Sequence, residues 1–152
     1  MENESLFQTT LQAKIFLSAS PERVFPLLCP VREAEWLPGW HARVMHSRSG
    51  FAEVGCVFTT RDDDGRERVW TMTQHAAREG VLQFVQFLAG SCVIRLDIRL
   101  SAQGTGTLAQ WTYSVAALEP GHEDFFAAYQ EAPFKARMTH LQRMLDQFLG
   151  NG

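Results

Sequence analysis

The sequence contains few of the residues that stabilise small secreted domains. Its 3 cysteines, Cys29, Cys56 and Cys92, are odd in number and widely spaced, with no C-x-x-C pair. This usage disfavours a disulfide framework and suits a reducing compartment, where buried thiols act as small hydrophobic groups. We therefore expect three free, buried thiols and a cytoplasmic protein.

An excess of positive charge and a long apolar run are also missing. The formal net charge is −3, and the 14 lysines and arginines are scattered along the chain. A nucleic-acid-binding surface needs clustered basic residues, so neither DNA nor RNA is expected as a partner. No segment approaches the ~18 consecutive apolar residues that span a bilayer. Residues 1–5 are acidic and polar, unlike the basic start and apolar stretch of a secretory signal.

What the sequence does contain is bulky apolar material. It is 45% hydrophobic and includes 11 Phe and 4 Trp among 152 residues. A domain of this size buries roughly 70% of the surface that its unfolded chain exposes. We expect one domain over residues 1–152, with a core large enough to enclose a hollow.

Apolar and polar residues alternate along several segments, which predicts β-strands with one buried face. Residues 6–17 form the first such segment, and residues 92–100 form the most regular one. Between residues 42 and 118 the predicted strands follow one another across short glycine-containing turns. Asp64 and Gly65 mark the clearest hairpin, because a tight turn needs residues that accept positive φ.

Helices are predicted before and after the strands of residues 42–118 in the sequence. Ser20 and Pro21 suit the start of a short helix, and residues 31–36 form a second brief one before a Pro-Gly break. Near the end, apolar residues recur at spacings of four and three, which predicts an amphipathic helix of about 16 residues, ~24 Å long. Pro133 is expected to kink or break it, so that residues 124–132 are its first part or a separate turn. The apolar stripe of this helix comprises Phe134, Met138, Leu141, Leu145 and Phe148.

Short motifs accompany this order of elements. They are ASPERVF at residues 19–25, Glu-Trp at 35–36 with Gly-Trp at 39–40, and strand starts at 55–58 and 69–70. Together they resemble the START/Bet v 1-like superfamily and, more narrowly, bacterial polyketide cyclase/dehydrase-type SRPBCC proteins. The resemblance implies an α+β helix-grip fold, with a seven-stranded antiparallel sheet wrapped around a long C-terminal helix and two short helices after strand 1. It also implies a cavity that the family uses for lipids, sterols, polyketides and other hydrophobic molecules.

Strand parity and the helical stripe predict which side chains face the space between sheet and helix. The predicted wall is apolar and aromatic with a few polar groups, which is typical of small-molecule pockets. A solid core would use the same positions, and the sequence leaves both interpretations open. Trp36 and Trp40 are expected either at the mouth of a pocket or as a plug at one end of the core. The candidate ligand-binding residues are Trp36, Trp40, His46, Phe58, Trp70, Met72, Gln74, Leu96, Trp111, Tyr113, Phe134 and Met138.

Few polar groups are predicted to face this space, and none forms a catalytic motif. A buried Tyr113 needs a hydrogen-bond partner, or it orients a substrate carbonyl or acts as an acid. Gln74 and His46 are the other inward candidates, whereas parity turns His75 outward. Histidine spacing indicates no metal site, no cofactor motif is present, and no carboxylate pair is predicted on the inner strand faces.

Three functions are compatible with these patterns. The first is binding of a small hydrophobic or aromatic metabolite, lipid-like or polyketide-like, in the cavity. The second is a polyketide cyclase, aromatase or dehydratase that uses the same cavity, with Tyr113, Gln74 and His46 as polar helpers. The third is a protein-interaction module of the chaperone-modulator type. The fold alone decides none of these, and the oligomeric state, a homodimer included, is left open.

Overall fold

Residues 6–150 are described by the computed structural model, in which the alternating segments form a seven-stranded antiparallel sheet. The strand order is β1-β7-β6-β5-β4-β3-β2, so the first strand pairs with the last and β2 lies at the far edge. The predicted antiparallel sheet is therefore confirmed. The strands are β1 (Gln8–Leu17), β2 (Arg43–His46), β3 (Val57–Arg61), β4 (Glu67–Ala76), β5 (Val81–Leu88), β6 (Cys92–Gln103) and β7 (Gly106–Ala117).

Two brief helical segments follow β1, as predicted. The first is α1 (Pro21–Val24), which continues into a 3₁₀ turn at Phe25–Leu28, and the second is a 3₁₀ turn at Arg32–Glu35. Pro21 stands at the start of α1, where its missing N–H costs nothing. The Ser20 side chain makes no capping hydrogen bond, contrary to expectation. Its carbonyl oxygen accepts the first hydrogen bonds of the helix, from the backbone N–H groups of Arg23 and Val24, both at 3.0 Å.

The last helix, α3 (Glu131–Gly150), is 20 residues long and therefore longer than expected. Pro133 does not break it, because a proline in the first turn removes an N–H that has no acceptor within the helix. The preceding segment is separate, formed by α2 (Glu123–Phe126) and the 3₁₀ turn Ala127–Tyr129. The side chains that α3 buries are Phe134, Met138, Leu145 and Leu149, with Leu141 and Phe148 half-buried beside them.

The carboxyl-terminal half of α3 is anchored to the start of the chain by hydrogen bonds. Asp146 accepts two from Ser18, from its backbone N–H at 3.0 Å and its hydroxyl at 3.1 Å. Gln142 donates to the carbonyl oxygen of Phe16 at 2.7 Å, and the Arg23 guanidinium donates to the carbonyl oxygen of Leu149 at 3.1 Å. This half of the helix is thus fixed across the end of β1.

A β-bulge in β4 reverses the predicted orientation of two side chains. The register of β4 against β5 shifts between Met72 and Gln74, which leaves one residue of β4 unpaired. Because side chains alternate with period two, an extra residue turns every later one to the other face. Gln74 is therefore exposed, and the prediction that it faces inward was wrong. His75 is half-buried instead, with its ring 5.1 Å from that of Phe25.

The inner face of the sheet, the short helices and α3 enclose the main hydrophobic core. All three cysteines are buried free thiols, as the sequence predicted. In the described part of the chain, no helix is long and apolar enough to cross a membrane.

Candidate ligand cavity

A cavity of about 300 Å³ lies between the inner face of the sheet and the amino-terminal half of α3. The 3₁₀ turn Arg32–Glu35 and the loop after it close one side. The aromatic part of the wall consists of Trp36, Trp40, Phe58, Trp70, Phe84 and Trp111. The aliphatic part consists of Leu28, Leu37, Leu96, Ile98, Met138 and Leu141. The polar part consists of Glu33, Thr60, Asp62, Arg68, Gln86, Tyr113, Tyr129, Arg137 and His140.

The aromatic wall is built by residues that pair across neighbouring strands. Phe58 on β3 lies directly opposite Trp70 on β4, and their rings stack with centroids 5.3 Å apart. Phe84 on β5 meets both rings edge-on, at 6.2 and 6.1 Å, and Trp40 meets Trp70 edge-on at 5.9 Å. Such offset and edge-to-face contacts fix ring positions, so the wall is preorganised.

The indole N–H groups of three tryptophans in the wall already have hydrogen-bond acceptors within the protein. The indole N–H of Trp36 donates to the carbonyl oxygen of Leu27, and that of Trp40 to the carbonyl oxygen of Pro30, both at 2.8 Å. Trp70 donates to the hydroxyl of Thr60 at 2.9 Å. A buried indole N–H without a partner would be costly, and with these bonds made the three tryptophans offer a guest their carbon surface.

At one end of the cavity, Arg68 and Asp62 form a partly buried ion pair with two hydrogen bonds, at 2.7 and 3.0 Å. Arg68 also donates to the Gln86 side-chain oxygen at 2.9 Å and to the Tyr129 hydroxyl at 3.4 Å. Burial alone would lower the pKa of Arg68, but the hydrogen bond to Asp62 and the nearby Tyr129 raise it above its ordinary value. The guanidinium stays charged, and Asp62 balances that charge.

A second guanidinium, that of Arg137 on α3, lies at the same end of the cavity. Its central carbon is 5.1 Å from the ring centroid of Tyr129, 5.6 Å from that of Tyr113 and 5.7 Å from that of Phe134. Within residues 6–150, no acidic side chain forms an ion pair with it. Arg137 is an exposed residue at the edge of the cavity, where the cation–π contacts favour this position of its guanidinium and none of the described carboxylates pairs with it.

Tyr113 on β7 contributes a phenol to the cavity. The side chain is half-buried, packs edge-on against Phe134 and presents its remaining surface to the cavity. Burial raises the pKa of this phenol to about 12, so it is neutral at physiological pH. Among the described residues, no side chain or backbone group is hydrogen-bonded to its hydroxyl, which leaves it free to bond a guest.

Glu33 adds a carboxyl group from the 3₁₀ turn. Burial raises its pKa well above the ordinary range, which favours the neutral, protonated form. No donor of the described chain lies within hydrogen-bond distance of the carboxyl, although neighbouring Glu35 is paired with Arg32. Glu33 is half-buried, and a partly buried, unpaired carboxyl that lines a cavity is typical of a binding or proton-transfer group.

Comparison with known proteins decides the fold. No family model and no curated protein matches the sequence, but solved structures do. Norcoclaurine synthase from Thalictrum flavum in complex with dopamine and hydroxybenzaldehyde matches with a TM-score of 0.68 at 11% identity, over 97% of this chain and 89% of that one. Ara h 8.0201 matches with a TM-score of 0.68 at 11% identity, over 96% of this chain and 100% of that one. Protein MLL2253 from Mesorhizobium loti matches with a TM-score of 0.68 at 20% identity, over 94% of this chain and 98% of that one.

The chain has the START/Bet v 1-like fold. The helix-grip architecture expected from the sequence is thereby confirmed, with its seven-stranded sheet, its two short helical segments after β1 and its long terminal helix. At identities this low the likeness establishes the fold alone, and function has to be argued from the cavity of this particular chain.

The Bet v 1-like fold brings most of the predicted site residues together. Trp36, Trp40, Phe58, Trp70, Leu96, Trp111, Tyr113 and Met138 all line the cavity. Met72 and Phe134 are buried in the packed core beside it. His46 is exposed on the edge strand β2, and Gln74 lies on the outer face of β4 because of the bulge. The set of Tyr113, Gln74 and His46 expected as polar helpers is therefore not assembled.

Sequence reasoning missed Glu33 and Arg137, which lie outside the strands, and also Arg68, which shares a face of β4 with Trp70. Residues three apart share a face of a 3₁₀ turn, so Glu33 falls on the same side as the predicted Trp36. Arg137 is three residues after Phe134 and four before Leu141, which places it at the edge of the apolar stripe of α3. These spacings were the available signals for Glu33 and Arg137, and strand parity was the signal for Arg68.

Proposed function

We propose that the chain binds a small, largely aromatic molecule in the cavity beneath α3. The observation that carries the proposal is a hollow of about 300 Å³ whose wall is formed mostly by aromatic and aliphatic side chains. Protein interiors are normally close-packed, so a hollow of this size that opens to solvent on one side is typical of a binding site. A few directed polar groups at one end are what a specific pocket requires.

The size of the hollow favours a compact guest. Ligand pockets span roughly 300–1,000 Å³, and this cavity lies at the lower limit. A molecule of one or two rings fits such a space better than a long lipid chain or a sterol. Norcoclaurine synthase, whose fold this chain shares, is described in complex with dopamine and hydroxybenzaldehyde, two small aromatic molecules.

The tryptophans provide a direct test. All 4 tryptophans of the chain line the cavity, so their indole N–H signals in a ¹H–¹⁵N spectrum report on its occupancy. We expect 2-naphthol to shift these signals, with an affinity measurable by calorimetry. Leu96→Arg should abolish both effects because it fills the cavity with a charged side chain.

The matched control is Arg95→Leu, which changes the neighbouring residue on the solvent face of β6. It should bind 2-naphthol like the wild type. Undiminished binding by a folded Leu96→Arg variant would exclude the cavity as the site.

Catalysis in the same cavity is the second candidate, and Glu33 favours it. A general acid or base needs a pKa moved towards the operating pH, and burial moves that of Glu33 in this direction. The reaction class suggested by the resemblance is cyclisation, aromatisation or dehydration of a polyketide-like substrate. Glu33→Gln should then stop turnover of a poly-β-ketone analogue while still binding 2-naphthol, and unchanged turnover would contradict the role.

The interaction-module alternative would be favoured by a filled interior, and the hollow therefore gives it no support. The cytoplasmic location, the single domain over residues 1–152 and a homodimer remain predictions from the sequence.

A further inference from the structure

Two guanidinium groups lie at the polar end of the cavity, and among the described residues only one of them is paired with a carboxylate. Arg68 and Asp62 neutralise each other through two hydrogen bonds. Arg137 has no such partner among residues 6–150, where its closest described contacts are the aromatic rings of Tyr113, Tyr129 and Phe134. A guest with a negative charge would complete this site.

The groups around Arg137 do not supply the missing negative charge. Tyr113 has a neutral phenol, since burial raises its pKa to about 12. Burial also favours the neutral form of the Glu33 carboxyl, the remaining acidic group of the cavity besides the paired Asp62. The balance of charge at this end is therefore positive.

The chemistry of the guanidinium narrows the choice of anion. A planar guanidinium presents parallel N–H donors that match the two oxygens of a carboxylate, and it forms charge-assisted bonds stronger than neutral ones. The rings on which Arg137 rests restrict its rotamers, so less freedom is lost when an anion binds. The apolar wall begins beside the same site. Leu96 on β6 lies directly opposite Tyr113, and Trp111 is two residues before Tyr113 on the same face of β7.

We propose that Arg137 is the anion-binding residue of the cavity and that the guest is an aromatic carboxylate. Its ring system lies against the aromatic wall, and its carboxylate pairs with the Arg137 guanidinium at the polar end. This inference rests on the proposed binding function and adds the chemical class of the ligand.

The experiment compares two isosteric probes, 2-naphthoate and 2-naphthamide, by calorimetry at pH 7 and constant ionic strength. The wild-type protein should bind the carboxylate about tenfold more tightly than the amide, since charged hydrogen bonds exceed neutral ones by this order. Arg137→Gln should reduce the ratio of the two affinities to about one. Arg143→Gln, which removes an arginine of the same helix outside the cavity, should leave the ratio unchanged.

The outcomes separate the two proposals. If neither probe binds to the wild-type protein, the proposed function fails and this inference fails with it. If both probes bind the wild type equally, the cavity remains a binding site and the anion subsite is refuted. A tenfold preference that persists in folded Arg137→Gln would also refute the assignment to Arg137.

Discussion

Glu33 and Tyr113, from the 3₁₀ turn after β1 and from β7, face the same cavity closely enough to interact electrostatically. Burial raises the pKa of the Tyr113 phenol to about 12. Glu33 contributes to that rise at the high pH where its own carboxyl is ionised. Burial likewise raises the pKa of Glu33. Each group is held towards its protonated form, so two O–H donors are directed at the guest.

Glu33 should make stability fall as pH rises. Between the pKa of an unfolded glutamate, about 4.3, and the raised folded value, the native state binds the extra proton. Stability therefore declines across this interval and is lowest above the folded pKa, by about 1.4 kcal/mol for each unit of the rise.

The test is Glu33→Gln, which removes this loss. It should raise the free energy of unfolding at pH 8 and change it little at pH 4, as measured by urea denaturation. The control Glu35→Gln alters a surface pair with Arg32 and should shift stability by less than about 1 kcal/mol at either pH. Equal effects of Glu33→Gln at both pH values would contradict the assignment.

The Arg68–Asp62 pair should be needed for stability. Asp62→Asn leaves a mostly buried guanidinium without its counter-charge, and such a loss costs on the order of 3 kcal/mol. Asp64→Asn in the same hairpin is the control, because its contact with Arg66 is long, at 3.9 Å, and exposed. Thermal denaturation should show a drop in melting temperature for the first variant and almost none for the second. Comparable melting temperatures would show that the pair contributes little.

Gly80 should tolerate substitution much less than Gly50. Both have positive φ, 68° and 80°, so alanine strains the backbone at either position by roughly 1 kcal/mol. At Gly80 the new methyl group would also collide with the carbonyl oxygen of Leu100, whereas nothing lies within 4 Å of it at Gly50. We expect Gly80→Ala to lose clearly more unfolding free energy than Gly50→Ala, and equal losses would refute the steric argument.

The anchoring of α3 predicts a local effect of Asp146→Ala. The substitution removes both acceptor bonds to Ser18, worth roughly 1 kcal/mol each. Hydrogen exchange should speed up in the last turns of α3, while the exposed variant Gln147→Ala should leave exchange unchanged. Protection that survives Asp146→Ala would show that the bonds of Gln142 and Arg23, together with packing of Leu145 and Leu149, suffice to hold this half.

The parts of the fold that follow a strict period were predictable. The alternation on β1 and β6 identified their buried faces, and the stripe containing Phe134 and Met138 identified the inner face of α3. The bulge beside Met72 was not predictable, because no glycine or other turn-forming residue marks it. Strict alternation through this part of β4 therefore predicts the wrong face for the residues after it. Gln74 was placed inside for this reason.

The candidate site was predictable in its apolar part and missed in its charged part. Trp70, Leu96 and Trp111 follow from strand parity. Glu33 comes from a turn, and Arg137 lies at the margin of a helical stripe, so neither follows the alternation of a β-strand. A pattern of apolar residues does not reveal which charged side chains lie beside it, although these side chains determine which ligands a pocket can bind.

Within residues 6–150, only the carboxyl-terminal half of α3 is anchored by hydrogen bonds, so the two ends of the helix differ in how firmly they cover the cavity. Hydrogen bonds hold its last turns to β1, but among the described residues none joins residues 131–141 to the sheet, where Phe134 and Met138 are held by packing. We expect a molecule that enters or leaves to displace those first turns before the anchored half of the helix. Exchange is then governed by fraying of one helix end, and it can be rapid while the protein as a whole stays folded.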